Sequence, residues 1–313
     1  MTEAVPVRWR AGPMWLPTAL LLIGGIAYGS MFSANKTAVD AGLPVTAYAF
    51  WQALFAAVIM LIGAALGRDV PRFNPSALKL YAVVALTGFV GPQLIFSSVA
   101  HKVPPGVLTL IVALVPTTTY VLSLVMRMDR FRWLNVAGVA LGFGGILLIV
   151  LPSGSLPDPG AALWVVFALL VPVSAAINNV AGERLTPPKS STFAMAGAML
   201  LVAAALLFVV MLARDGLVLV TDHGTGGVTA VLWATAAQAV TYACFFEIIR
   251  RAGALFFALL NYVVVAAGLF WASILFGNQL TLWVWLAVIL LAVSLALTNI
   301  GTARALRERA RAN

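Results

Sequence analysis

The side chains able to do chemistry are sparse, and they sit inside long apolar runs. Along the 313-residue chain they are Tyr28, Ser30, Ser33, Asn35 and Lys36 in the first run and Gln93, Ser97 and Ser98 in the third. The fourth run carries Thr117, Thr118 and Thr119 behind Pro116, and the sixth carries Ser174, Asn178 and Asn179. Gln238, Thr241 and Tyr242 fall in the eighth run, Asn261 and Tyr262 in the ninth. These are amides, hydroxyls and phenols, groups that trade hydrogen bonds with a ligand. Covalent chemistry needs a nucleophile beside a base, or a metal cluster. The two histidines, His101 and His223, lie far apart in predicted loops, and no HExxH stands in the chain. Cys244, the single cysteine, can form no internal disulfide and has no metal-ligand spacing around it. It reads as a small buried apolar residue. No catalytic residue, metal or cofactor is predicted.

Several of these positions admit two readings. Lys36 stands at the end of its run, where it attracts a carboxylate, snorkels to the membrane surface, or pairs with Asp40 four residues on. Thr117, Thr118 and Thr119 either face a cavity opened by the Pro116 kink or bond back to their own helix. Gln93 and Asn261 read as cavity groups first and as interhelical glue second. Asn35 and Asn178 read either as paired gates or as caps. Tyr28 and Gln238 fall closest to the middle of their runs. Glu247 stands one turn before Arg250 and Arg251 and reads as a local ion pair.

What must hold these groups is a set of membrane-crossing helices. Hydrophobic residues make up 62% of the chain and charged residues only 9%, against about 25% charged in a soluble domain. Apolar runs near 14–36, 44–66, 78–99, 104–126, 130–151, 161–181, 190–213, 228–250, 255–276 and 281–301 each approach the ~20 residues that a bilayer crossing needs. With a cytoplasmic N-terminus, sixteen basic residues fall inside: Arg8, Arg10, Arg68, Arg72, Lys79, Arg127, Arg130, Arg132, Arg184, Lys189, Arg250, Arg251, Arg304, Arg307, Arg309 and Arg311. Three, Lys36, Lys102 and Arg214, fall outside. A missed or invented span would scramble this asymmetry. The net charge of +9 therefore reads as cytoplasmic anchoring. The C-terminal basic run points to anionic lipid headgroups and not to nucleic acid.

The two halves resemble each other weakly. At an offset of 143, Asn35, Asp40 and Pro44 match Asn178, Glu183 and Pro187; at 149, Val103–Asp129 lies over Ala252–Asn278. With five helices per half, the second half enters the membrane inverted, a layout that places a site between pseudo-equivalent halves. The expected fold is all-α, a polytopic bundle of ten transmembrane helices in two inverted five-helix repeats, residues 1–152 and 153–313. Gly138-x-x-x-Gly142 and Ala292-x-x-x-Ala296 suggest that the fifth and tenth helices pack together away from the centre. Gly25-x-x-x-Gly29 suggests tight packing of the first helix, or a sliding surface.

The stretch Tyr28-Gly29-Ser30-Met31-Phe32-Ser33-Ala34-Asn35-Lys36, followed by Pro44 opening the next helix, resembles the first-helix pattern of the drug/metabolite transporter superfamily, in particular its EamA-type exporters. The resemblance implies ten helices around a central cavity lined by the first, third and fourth helices of each half. It also implies export of a small metabolite, such as an amino acid, across the cytoplasmic (inner) membrane, with both termini cytoplasmic. The chain departs from the family where an arginine is common early in helix 2, here Trp51-Gln52. It departs again at Met128-Asp129 and Gly277-Asn278, where a Gly-Glu pair is common. No Asp or Glu lies at mid-membrane, the place a proton-coupled exporter of cations needs one. A neutral, zwitterionic or aromatic substrate fits better, moved by alternating access. The candidate binding set is Tyr28, Asn35, Lys36, Gln93, Thr117, Thr118, Asn178, Gln238, Tyr242, Asn261 and Tyr262. A membrane-embedded enzyme and a channel are the alternatives. Expected partners are the metabolite and the lipid bilayer, and the chain acts as a monomer or a homodimer.

The topology is open to direct test. Cysteines introduced by Val70→Cys, Arg184→Cys and Glu308→Cys are expected to react with an impermeant thiol reagent only from the cytoplasmic face. Labelling of any one from outside would overturn the orientation.

Overall fold

The computed structural model describes residues 15–69, 71, 74–150, 160–185, 192–257, 259–277 and 281–312. Arg8, Arg10, Arg72, Pro187, Lys189 and Asn278 lie outside the described residues. So do the side chains of Glu183, Arg184, Arg250, Arg307, Arg309 and Arg311.

Ten helical rods run through the described residues, one on each of the ten apolar runs of the sequence, although α8 continues to Phe257, so that α9 begins at Leu260, and α10 continues to Ala312. They are α1 (Trp15–Asp40), α2 (Val45–Leu66) and α3, which comprises Pro75–Ala85, a π-helical turn over Leu86–Val90, and Gly91–Val99. Next come α4 (Pro105–Val112, then Val115–Val125), α5 (Trp133–Val150) and α6 (Ala161–Ala168, then Leu170–Leu185). The last four are α7 (Thr192–Arg214), α8 (Gly224–Phe257), α9 (Leu260–Phe276) and α10 (Leu282–Ala312). Seven rods are long and apolar enough to cross a bilayer, and α5 and α9 are shorter apolar helices. The eighth rod, of 34 residues, is roughly 50 Å long at about 1.5 Å per residue. Leu163, Trp133, Val125 and Leu66 are each at least 75% exposed on the outside. Apolar surface on that scale requires a lipid solvent. The chain is a multi-pass integral membrane protein.

Local chemistry sets the ends. Pro44 and Pro104 precede α2 and α4. Asn74 caps α3 by accepting from the Ala77 N–H at 2.7 Å, with Pro75 at the first helical position. Gly277 closes α9 at φ 61°, a left-handed cap that costs glycine no Cβ clash. Near the loops, Lys36 pairs with Asp40 and Glu247 with Arg251.

Small residues decide which rods touch. A Cβ on Gly29 of α1 would stand 2.8 Å from both Gly268 N and Val264 O, so the α1 and α9 backbones are in contact. Gly25 meets the Val263 side chain in the same seam, which is tight packing. A Cβ on Gly138 of α5 would lie 2.7 Å from Thr298 Oγ1 of α10. The Ser294 hydroxyl donates to the Gly138 carbonyl at 2.6 Å. The most closely packed pairs are α1 with α8 and α9, α2 with α7 and α8, α3 with α6 and α7, α4 with α6 and α9, and α5 with α10. Neighbours run antiparallel where the loops require it: Gly138 and Gly145 of α5 lie against Thr298 and Leu291 of α10. In a bilayer this shape fit and these hydrogen bonds hold the bundle together, because helix burial brings no gain over lipid tails.

Two glycines on α5 separate packing from helix propensity. Gly142→Ala pushes a methyl to within 2.8 Å of Ser294 Oγ and 2.9 Å of Leu114 Cδ2, whereas Gly144→Ala meets nothing within 4 Å. The first is expected to lower stability by about 1–3 kcal/mol. The second is expected to be neutral or slightly stabilising, since alanine favours a helix by up to about 1 kcal/mol over glycine. Thermal unfolding of the two variants in detergent measures the contrast.

Candidate functional site

A cavity of about 230 Å³ sits where α1, α3, α4, α6, α8 and α9 converge. These are the six helices that the family resemblance implies. One face of α1 supplies Tyr28, Met31, Phe32 and Asn35, at spacings of three and four residues that stack side chains on one side of a helix. From α3 come Gly88, Phe89, Pro92, Gln93 and Phe96; from α8 come Gln238, Thr241 and Tyr242. Val112 and Val115 of α4, Val171 and Ala175 of α6, Phe257 and Leu260 complete the wall. Among the described residues, none that lines it carries a charge.

The polar groups form an ordered array. Asn35 Oδ1 accepts from the Tyr48 hydroxyl at 2.6 Å and from Gln93 Nε2 at 3.1 Å. Gln93 Nε2 also donates to Ser97 Oγ at 3.3 Å. This network ties α1, α2 and α3 together at one end of the cavity. Thr241 donates to the Ala237 carbonyl of its own helix at 2.7 Å. Gln238 is 7% exposed, lines the cavity, and makes no hydrogen bond to a described residue. It contributes an amide to the cavity wall. Aromatic faces supply the other half of the lining. Phe32 packs edge-on to Phe96 with centroids 5.3 Å apart, and Tyr28 lies 6.0 Å from Phe32.

Broken helices aim these groups. The π turn over Leu86–Val90 inserts one residue ahead of Gln93, and Pro92 follows it with no N–H to donate. Ser174 of α6 donates to the Thr87 carbonyl in that turn at 2.8 Å. Asn178, one turn along α6, packs on Gly88: a Cβ there would lie 2.8 Å from Asn178 Oδ1. That oxygen is buried without a hydrogen-bond partner. α4 is interrupted at Ala113 and Leu114 and restarts at Val115-Pro116, and α6 is interrupted at Leu169 ahead of Pro172. All three breaks adjoin the cavity.

Of the eleven residues picked out from sequence, Tyr28, Asn35, Gln93, Gln238 and Tyr242 share this wall. The others lie elsewhere. Lys36 Nζ is 2.9 Å from Asp40 Oδ1 and 5.5 Å from the centre of the Phe276 ring. Thr117 Oγ1 is 3.4 Å from Ser294 Oγ, in the contact between α4 and α10. Thr118 donates to the Leu114 carbonyl and Thr119 to that of Val115, each bonding back to its own helix. Asn178 supports the π turn from behind, and Asn261 is half-buried near the start of α9. Tyr262 lines a separate space between α9 and α10. Reasoning from sequence missed Tyr48, which joins the network from α2. Its only signal is a lone phenol one helical turn after Pro44.

The sequence and fold agree with known proteins. The EamA-like transporter family matches residues 15–151 and again 162–300, and the chain belongs to that family. That family is one of membrane transporters. A relative from Streptantibioticus cattleyicolor, described as a probable terminal-alkyne amino-acid exporter, is 28% identical over 152 residues. That stretch is 48% of this chain and 50% of the relative, so the chain spans about half the length of the curated relative it matches. A protein of known crystal structure superposes on 93% of this chain and 99% of its own, with a TM-score of 0.63 at 17% identity. That likeness shows the fold.

The π turn is expected to set the reach of residue 93. In a Cys244→Ser background, Gln93→Cys is expected to react with a small thiol reagent. Adding Gly88→Ala should slow that reaction several-fold by forcing α3 off Asn178, and adding Asn178→Ala should restore it. Equal rates in all three proteins would mean that the turn does not govern this position.

Proposed function

We propose that this chain exports a compact, neutral or zwitterionic metabolite, in the first instance an amino acid with an aromatic or aliphatic side chain. The route runs across the cytoplasmic membrane by alternating access, with solute contact made by Tyr28, Asn35, Gln93, Gln238 and Tyr242. The observation that carries this reading is the uncharged cavity with the open amide of Gln238 in its wall. A solute of net charge would lose its hydration there without gaining a counter-charge. A neutral molecule with amide-like donors and acceptors keeps its hydrogen bonds, and its apolar part rests on Tyr28, Phe32 and Phe96. The volume suits a ligand smaller than the drug-sized molecules that fill roughly 300–1,000 Å³. The amino-acid export in the description of the Streptantibioticus relative favours the same class.

The helix pairing supports an inverted repeat of residues 1–152 and 153–313. Exchanging each helix with the one five places along turns α1·α8 into α6·α3, α1·α9 into α6·α4 and α2·α8 into α7·α3. The same exchange leaves α2·α7, α4·α9 and α5·α10 as they are. Two halves related in this way have two equivalent arrangements, one open to each face. In this reading Tyr48, Asn35 and Gln93 form a latch near the outer face that must part before the solute leaves.

The test is efflux from loaded proteoliposomes, with and without a pH gradient, over neutral amino acids, nucleosides, lysine and glutamate. At least one neutral solute is expected to leave tenfold faster than from protein-free vesicles, with lysine and glutamate retained. Gln238→Ala is expected to slow that efflux about tenfold, with the protein still folded in the membrane. Fast efflux of lysine or glutamate, or a Gln238→Ala protein as fast as the parent, would sink the proposal.

A further inference from the structure

A second space, about 400 Å³, lies between α9 and α10 and is larger than the central cavity. Its floor is buried: Leu269 of α9 is 5% exposed, and Leu291 and Leu295 of α10 are 2% and 1% exposed. Its rim is open, with Phe270 58% and Trp285 51% exposed. Elsewhere in the fold small residues bring backbones into contact, as Gly29 does with Gly268. Here Ala266 and Ala292 line open space.

The rim faces the bilayer, since the exposed residues beside it, Ile274 and Ile289, are apolar on a chain that is a multi-pass membrane protein. The polar side chains of the groove wall are Tyr262 and Ser273, at opposite ends of its α9 side, with tryptophan Trp285 between apolar neighbours on α10. Those two positions are eleven residues apart, roughly 16 Å at about 1.5 Å per residue. That is half of the ~30 Å hydrocarbon thickness, the depth of one leaflet. Water does not fill a space with so few polar partners. Left empty, the groove would deprive its floor of dispersion contacts. A single extended hydrocarbon chain matches its length, its apolar lining and its open side. Trp285 stands one turn inside the start of α10, where an indole suits the headgroup boundary.

We propose that the α9–α10 groove binds one acyl chain of a bilayer phospholipid, from the leaflet on the side of the α9–α10 connection. The groove is separate from the central cavity, whatever solute that cavity receives. The two spaces adjoin along α4 and α9: Ala113 and Tyr262 line the groove, while Val112, Val115 and Leu260 line the cavity.

The full chain would be reconstituted into phosphatidylcholine vesicles doped with phosphatidylcholine carrying a photoactivatable diazirine on one acyl chain, then illuminated and mapped by peptide. Cross-links are expected in residues 262–273 and 285–295 at no less than five times the density at Ile62 and Val209, lipid-facing positions on other helices. Ala292→Phe, which fills the groove, is expected to reduce that excess to background, and Ile289→Phe, outside the groove, to leave it unchanged. Should Ala292→Phe fail to yield folded protein, Ala266→Leu fills the same space from α9. Labelling equal to that at Ile62 and Val209, labelling unmoved by the filling variant, or chain-to-chain cross-links through the groove would each overturn the proposal.

Discussion

A backbone carbonyl released inside a bilayer must find another partner, because no water is there to take it. That constraint decides where this bundle departs from straight helices. Of its ten rods, α3, α4 and α6 are interrupted, and each interruption borders the central cavity. At α3 the loosened turn is held from outside by Ser174, whose hydroxyl meets the Thr87 carbonyl. At α4 the hydroxyls of Thr118 and Thr119 stay on their own helix around Pro116. Irregular backbone is confined to the region where a cavity and neighbouring polar side chains share its demands.

The remaining rods supply rigidity. α5 and α10 meet through Gly138, Gly142, Ser294 and Thr298, and contribute nothing to the cavity wall. α2 and α7 pack in the same manner along an alanine-rich seam. The bundle therefore has a stiff periphery of small-residue contacts around a centre of kinked helices.

Much of this was legible in the sequence. Charge asymmetry and run length define ten helices, because a bilayer punishes misplaced arginines and short crossings alike. Asn35, Gln93 and Gln238 stand out because an amide in an apolar run needs a reason to be there. What sequence does not reveal is which of the polar residues share one space. The π turn is contacted by Ser174 and Asn178 from a helix about 90 residues away, and no local pattern announces it. Tyr48 reaches Asn35 across a loop by the length of its side chain. Lys36 had three readings on sequence alone, and in the fold it lies beside Asp40 and Phe276. The space between α9 and α10 depends on how far apart two helices settle, which residue spacing does not fix.

One consequence follows from the bonds around Asn35. Its oxygen already receives two protons, from Tyr48 and Gln93, and an amide oxygen has two lone pairs to offer. The nitrogen of Gln93 has likewise committed both hydrogens, to Asn35 and Ser97. Neither amide can flip without breaking two bonds. What remains uncommitted is the nitrogen of Asn35 and the oxygen of Gln93, each with its sign fixed. That end of the chamber therefore has a polarity: a donor and an acceptor set in this order match the two amides, and the reversed order would meet like against like.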